Sequence, residues 1–396
     1  MKEIKILDTF AGAGGFSLGF EMAGCEIIGA IESDAWACDT FKFNHPNAIV
    51  IKKDIRKVTN KELLNKFSSA NKPDIILGGP PCQGFSICNK ENGDPKDPRN
   101  SLFKEFIRTG KVLKPKVMIM ENVANLIKAR AESQDLVIDI IKDELEFLGY
   151  NVYIKLLEAV HYGVPQIRKR LFVIASIAKL ETPFPKLTHQ IVPDSKNGNS
   201  YKIKKTPTLW EAISDLPTIN AREGSEIMEY SLPPQNKLQT KLRNKSKLLH
   251  NHRAMKHSKR MVERFKTMAC GQSSSDAPEH LKPIKRGSNG VVSEKAYDQN
   301  NRRMFADKPC HTIPASFYAN FVHPFLHRNF TAREGARIQT FPDTYVFKGK
   351  PTVVSHKLLA REGRTDEKHL CQYNQIGNAV PPILSEAIAK NILKQI

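Results

Sequence analysis

The chain has 396 residues, and 61 Lys and Arg stand against 41 Asp and Glu, a formal net charge of +20. The length favours one large domain with a smaller companion over a single core. The charged fraction of 26% and hydrophobic fraction of 40% are those of an ordinary soluble protein. No apolar run approaches the ~20 residues of a membrane-spanning helix, so no membrane partner is expected.

In chain order, the opening "MKEIKILDTF" reads as a strand and lacks the apolar core of a signal peptide, which predicts a cytoplasmic, nucleoid-associated protein. Residues 4–7, 26–31, 48–51, 74–77, 117–120, 151–157 and 171–175 read as strands. Several are continuously apolar, as strands buried on both faces are. Segments 16–23, 34–44 and 135–147 between them fit helices. The alternation predicts an α/β fold with a doubly wound, mostly parallel sheet.

Near residue 180 the pattern breaks into a loop rich in Pro, Asn, Gly and Ser. Residues 186–310 hold 24 Lys and Arg against 12 Asp and Glu, about a third of the chain with more than half of the charge surplus. Within it, 237–266 carry eleven basic residues and the single acid Glu263, with His250, His252 and His257 interleaved. A phosphate-tracking surface is the better reading, against that of a solvated helical face. The excess positive charge points to nucleic acid, the competing reading being a merely basic enzyme.

The seven cysteines are scattered, odd in number and form no Cys-x-x-Cys pair. That argues against a disulfide framework or a structural metal site and for free thiols in a reducing compartment.

After the first strand, "ILDTFAGAGGFSLGF" sets Asp8, Gly12, Gly14 and Gly15 before a helix. Glycines there let a ligand approach the backbone, and a helix N-terminus favours negative charge. Ser17 stands where a dinucleotide fingerprint has its third glycine, so the loop suits a nucleoside-bearing cofactor without choosing one. Glu32 at the second strand end suits ribose hydroxyls, and Asp54 after the third suits an adenine amino group. Each acid alone would be an unremarked surface residue; three strand ends in succession suggest a site.

"GGPPCQGFS" (78–86) follows a buried strand and presents Cys82 behind Pro80 and Pro81. It reads either as a tight turn with a buried thiol or as a nucleophile on a stiff platform. With "DTFAGAGG", "RNSLFKEFIR", "MENV", "YGVPQIRKR", "TAREGARIQTFPD" and "NQIGNAVPP" in this order, the chain resembles the cytosine-5 DNA methyltransferases of bacterial restriction-modification systems. The resemblance covers 4–176 and about 312–395. It implies a Rossmann-like catalytic domain in two parts, 1–185 and 311–396, around a target-recognition domain at 186–310.

It implies further that Cys82 is the nucleophile that adds to C6 of cytosine. Only a small fraction of a free thiol, of pKa ~8.5, is thiolate near neutrality, so such a cysteine needs an activating setting. Glu121 would bond N3 and the exocyclic amine, with Asn122 and Val123 holding its turn. Arg170 would contact O2, and Arg168 would brace the active-site loop or a phosphate. S-adenosyl-methionine would lie against Asp8, Phe10, Gly12, Gly14, Gly15, Glu32, Asp54, Ile55, Pro80, Leu102, Asn378 and Val380. Residues 84–100 would form a loop closing over a base flipped from double-stranded DNA. Thr312 and Ile313 would touch the DNA. A monomer is expected, with a cognate restriction endonuclease as the possible partner protein.

Ser33 replaces an aromatic that stacks on adenine in some relatives, and 349–370 looks like an extra hairpin and helix. The rival readings are a tRNA cytosine-5 methyltransferase with the same motifs, a nicotinamide-dependent oxidoreductase, and a DNA-binding protein without catalysis. The large basic insert favours DNA over tRNA. The oxidoreductase leaves Pro80-Pro81-Cys82, Glu121 and "QIRKR" unexplained, and the intact Cys82 and Glu121 oppose the third.

Overall fold

The structure, a computed structural model, describes residues 3–68, 71–81, 102–131, 133–192, 203–285, 291–293, 300–352, 356–364 and 369–396. Cys82 and the expected closing loop at 84–100 lie outside the described residues.

Seven strands form one sheet: β1 (Lys5–Thr9), β2 (Glu26–Glu32), β3 (Ile49–Lys52), β4 (Ile75–Gly78), β5 (Val117–Val123), β6 (Asn151–Glu158) and β8 (Lys169–Ser176). The short β7 (Gln166–Ile167) instead pairs with Cys310–His311. The order is β3-β2-β1-β4-β5-β8-β6. The first five of these are parallel, and β8 runs antiparallel to β5 and β6. All the expected strands fall in this sheet.

Their continuous hydrophobicity has a simple cause. Successive side chains point to opposite faces, and both faces are covered. In β5, Met118 and Met120 enter one apolar cluster, and Val117 and Ile119 enter the other.

The first cluster is closed by α3 (Asn60–Lys66), α4 (Leu102–Leu113) and α5 (Val137–Phe147). In α4 the buried Leu102, Phe103, Phe106, Ile107 and Leu113 follow helical spacing, with Lys104 and Lys111 exposed. The second is closed by α1 (Gly15–Met22) and α12 (Pro382–Leu393). The chain's last helix therefore returns onto its first. The contact is close at Gly19, where an added Cβ would lie 2.2 Å from Ser385 Cβ and 2.6 Å from the Glu386 amide. The helix α2 (Ala35–Asn44) starts at Asp34, whose side chain accepts from the Ala37 amide at 2.9 Å.

A third cluster joins α6 (Leu209–Ile213), Leu216 and Leu249 to Ile313, Phe330, Ile338, Phe341, Tyr345, Phe347 and Tyr373. Segments from the expected insert and the expected return thus share one core, the heart of a second lobe. This lobe also carries α7 (Lys237–Arg243), α8 (Lys259–Thr267) and an antiparallel pair of strands, Gly224–Met228 and Leu249–Arg253.

At its centre is α9 (Ala332–Ile338), started by a capping box between Thr331 and Glu334. Arg328, Arg333 and Arg337 are fully buried. Arg337 pairs with Asp215 at 3.1 Å and Asp343 at 2.6 Å, and Arg328 with Glu334 at 2.7 Å. Burial opposes ionisation of Glu334, but Arg328 outweighs it and holds the carboxyl down at about 2. Beyond it, α10 (His356–Arg361) supplies the helix expected in 349–370, and α11 (Gln372–Asn378) leads to α12.

Two of the three histidines read as phosphate-tracking are core residues. His252 is fully buried between the Thr331 hydroxyl and the Pro217 carbonyl, each at 2.9 Å. His257 is buried and accepts from the Asn329 amide at 3.2 Å. Desolvation pushes both down to about 4, so they are neutral at physiological pH and unsuited to phosphate. Lys245, Lys247, Arg253, Lys256 and Lys259 remain exposed.

Replacing Gly19 by Ala tests the α1–α12 contact. Helix propensity alone would favour Ala by about 1 kcal/mol, but the new methyl meets backbone as well as Ser385. A net loss of about 1–3 kcal/mol is expected in urea denaturation; a gain would show that α12 shifts freely.

Candidate active site

The sheet order reverses between β1 and β4, so a crevice opens at their carboxyl ends, where such folds bind ligands. β1 runs into Phe10 and the glycine loop, and β4 into Gly79, Pro80 and Pro81. The Asn122 side chain donates to the Pro80 carbonyl at 2.9 Å. The end of β5 thereby fixes the Pro80 backbone just beyond β4.

Strand register brings the charged groups together. Val123 of β5 lies opposite Arg170 of β8, so Glu121, two residues earlier on the same face, is Arg170's diagonal neighbour. Glu121 Oε1 and Arg170 Nε form an ion pair at 3.0 Å. Glu121 is 8% exposed, and Oε1 has no aligned hydrogen-bond partner among the described residues. Burial raises the Glu121 pKa, partly offset by Arg170 and Arg168. A buried carboxyl with unused bonding capacity suits it to meet a polar ring edge and to share a proton with it.

Arg168 has a different place from the one expected. It is fully buried and donates to the carbonyls of Ile313 at 3.0 Å and Gly377 at 3.1 Å. It binds the returning chain, not a phosphate. Gln166, first residue of "QIRKR", does similar work: its amide donates to Gln339 at 2.9 Å and its oxygen accepts from the Ile313 amide at 2.8 Å. The Thr312 hydroxyl donates to the Ile167 carbonyl at 2.6 Å.

In the glycine loop the three glycines differ. A Cβ on Gly12 would meet open space, and the Gly12 amide donates to Glu32 Oε2 at 2.9 Å. A Cβ on Gly14 would lie 2.6 Å from the Tyr345 hydroxyl, and one on Gly15 2.5 Å from the Val380 carbonyl. Gly14 and Gly15 thus serve packing behind the loop, and only Gly12 faces a possible ligand. Glu32 Oε1 accepts from the amides of Ser33 and Asp34 at 2.7 and 2.8 Å. Burial raises its pKa, against which these amides pull it down.

Asp8 is 1% exposed and accepts from the Ser17 hydroxyl at 2.6 Å. It braces the start of α1 from inside, which rules out direct ligand contact in this arrangement. It also explains the serine in place of a third glycine. Asp54 is held by Arg56, with Nη2 at 2.5 Å, which lowers its pKa. The pair is partly exposed and weak enough to open for a competing donor. Ile55 and Leu102 share one apolar cluster, with Phe10 packed against it. Pro80 is buried just beyond β4. Asn378 is exposed at the end of α11, between Gly377, held by Arg168, and Val380, which backs Gly15.

Residues unforeseen in the sequence include Tyr345, and Thr40 with Gln375, whose side chains meet at 2.6 Å. Gln166 lay within a quoted motif; Tyr345, just after "FPDT", carried no distinguishing signal.

The fold is that of a Rossmann-like transferase, with a glycine loop beside the Glu32 carboxyl and a carboxylate–arginine pair beside Pro80. The chain belongs to the C-5 cytosine-specific DNA methylase family, whose model matches residues 4–394. It methylates C5 of cytosine in DNA. It is 47% identical, over 98% of this chain and 88% of the relative, to the type II methyltransferase M.DdeI of Desulfomicrobium norvegicum. Identity is 35% over 99% of this chain and 87% of M1.HphI, a type II methyltransferase of Haemophilus parahaemolyticus. Among solved structures, an E. coli prophage protein described as a DNA modification methyltransferase superposes with TM-score 0.74 at 24% identity, covering 99% of both chains.

Burial raises the Asp8 pKa to about 7 from an ordinary 3.8. A carboxyl so raised supports the fold when protonated, and that support is lost as pH rises from about 4 through about 7. Asp8→Asn should therefore be more stable than wild type at pH 8, with the advantage shrinking towards pH 4. Urea denaturation at both pH values reads this; a pH-independent difference would reject it.

Proposed function

We propose that the chain transfers the methyl group of S-adenosyl-methionine to C5 of one cytosine in a specific duplex sequence, after the base is flipped out of the helix. The observation that carries this is the Glu121–Arg170 pair, set beside Gly79 and Pro80, which stand just before Cys82 in the chain. The type II names of its relatives support a role in restriction-modification with a partner endonuclease. We infer a monomer acting in the cytoplasm.

Unassisted, C5 of cytosine is too weak a nucleophile. Addition of the Cys82 thiolate to C6 forms an S–C6 bond and moves the C5=C6 electron pair to C5, which becomes enamine-like. Glu121 hydrogen-bonds N3 and the exocyclic amine, and its raised pKa favours the protonated form that donates to N3. Arg170 binds O2 from the same face. After methylation, solvent water takes the C5 proton. The C–H electron pair re-forms the C5=C6 bond as the S–C6 bond breaks and Cys82 leaves as thiolate, and N3 returns its proton to Glu121.

The cofactor supplies an electrophilic methyl when bound. The open face of Gly12 and the desolvated Glu32 carboxylate fit a ribose. Phe10, Ile55, Pro80 and Leu102 fit an apolar wall, Asp54 an adenine amino group, and Asn378 and Val380 close the crevice from the returning chain. Asp8, Gly14 and Gly15 support the loop from behind, and Arg168 holds the return segment.

Tritiated methyl transfer to unmethylated plasmid DNA and to tRNA distinguishes the substrates. Cys82→Ala should cut DNA methylation at least roughly 10³-fold; full activity in the variant, or transfer to tRNA alone, would overturn the reading. Affinity for DNA should fall steeply between ~50 and ~200 mM salt, because the exposed lysines of the second lobe displace counterions. A flat profile in a filter-binding titration would remove that surface from the interface.

A further inference from the structure

We propose that Tyr345 is a positioning residue for the cofactor loop: its hydroxyl holds the Ala13 peptide, so that the neighbouring Gly12 amide stays on Glu32. The proposal rests on the reading of Gly12 and Glu32 as the cofactor end of the site.

Tyr345 belongs to the second lobe. Its ring packs against Phe341 and Phe347, with centroids 5.1 and 5.7 Å away. Its carbonyl accepts from Arg333 Nη2 at 2.8 Å, and its amide donates to Pro342 at 3.0 Å. Two residues on, Phe347 is held by Asn251 through both its amide, at 2.9 Å, and its carbonyl, at 3.0 Å. Asn251 lies in the strand Leu249–Arg253. The phenol is thus anchored from α9 and from that strand, both elements of the lobe that carries the basic surface.

From this anchored position the hydroxyl crosses to the first lobe. It is buried and donates to the Ala13 carbonyl at 2.5 Å, with His45 Nε2 at 3.3 Å. The loop in turn is built to receive it. The Ala13 side chain is 2% exposed and lies in the second lobe's apolar cluster, together with Leu18. Gly14, at φ +86°, leaves the space that the phenol oxygen occupies. On the other side of Ala13, Gly12 faces open space and donates to Glu32. One buried polar contact from the second lobe therefore holds the Ala13–Gly14 peptide, whose Gly14 amide donates at 2.9 Å to the Ala11 carbonyl of the Ala11–Gly12 peptide that orients the ribose carboxylate. If that contact is lost, the loop keeps its apolar packing and the bond from the Gly14 amide to Ala11, but the carbonyl end of the Ala13–Gly14 peptide loses its buried donor.

Tyr345→Phe removes the oxygen and keeps the ring. Wild type and variant should be compared by calorimetric titration with S-adenosyl-homocysteine. Initial rates of tritiated methyl transfer should be measured with S-adenosyl-methionine varied at saturating unmethylated plasmid DNA, and thermal melts recorded on both proteins. We expect the S-adenosyl-homocysteine Kd and the cofactor KM to rise about three- to tenfold, the worth of one buried hydrogen bond. The kcat at saturating cofactor and the KM for DNA should stay near wild type. A purely structural tyrosine would lower the melting temperature or kcat and leave cofactor Kd and KM in place, and that result overturns the proposal. Glu32→Gln, run alongside, separates the two levels: unchanged S-adenosyl-homocysteine affinity in Glu32→Gln rejects the cofactor assignment itself. A normal loss there with none in Tyr345→Phe rejects only the tyrosine's role.

Discussion

The Arg168 guanidinium donates to the carbonyls of Ile313 and Gly377, residues 145 and 209 positions further along the chain. A fully buried guanidinium needs acceptors, and backbone carbonyls of two distant segments supply them to its Nη1 and Nη2 here, while Nε has no partner among the described residues. The site depends on this joint. Arg170, two residues beyond, faces Glu121, while Gly377 leads to Asn378 and the Val380 that backs the glycine loop. Gln166 extends the joint through Gln339 and the Ile313 amide. A catalytic fold interrupted by a second lobe needs such a connection, because the strands at the site end and the returning chain share no local sequence contact.

The same demand for satisfied buried charge organises the second lobe. Arg333 and Arg337 of α9, with Arg328 just before it, meet Asp215, Asp343 and Glu334 in the interior. Removing one member would strand an unpaired charge, which is far costlier than the net worth of a pair. The basic surplus is therefore divided. Some arginines and histidines are structural and internal, and the exposed lysines are left to face a polyanion. At the site the balance differs: Glu121 is buried with an oxygen lacking an aligned partner, a cost that catalysis can use.

Much of this was legible in the chain itself. The apolar runs marked the strands because a doubly covered sheet requires both alternating faces to be apolar. Strand-end placement picked out Glu32 and the Pro80-Pro81 segment, and the family resemblance picked out Glu121. The glycine loop was legible as a site but not in its parts, since glycine can serve a ligand, a neighbour or a turn, and only the surroundings decide. Gly14 and Gly15 yield space to Tyr345 and Val380, while Gly12 faces outward. Asp8 and Arg168 carried the right chemistry for ligand contact, yet their burial gives them internal partners. His252 and His257 sat within a basic run but point into the core.

The amino-acid sequence by itself determined the α/β class, the family and the order of its motifs, because periodicity and local chemical pattern are properties of neighbouring residues. The tertiary structure decided which residues of each motif face the crevice and which hold the fold together. It also decided that segments on either side of residue 310 share one core, and that the glycine loop leans on a tyrosine more than 300 positions away. Those outcomes depend on burial and on contacts between remote segments, and neither is encoded at any single position.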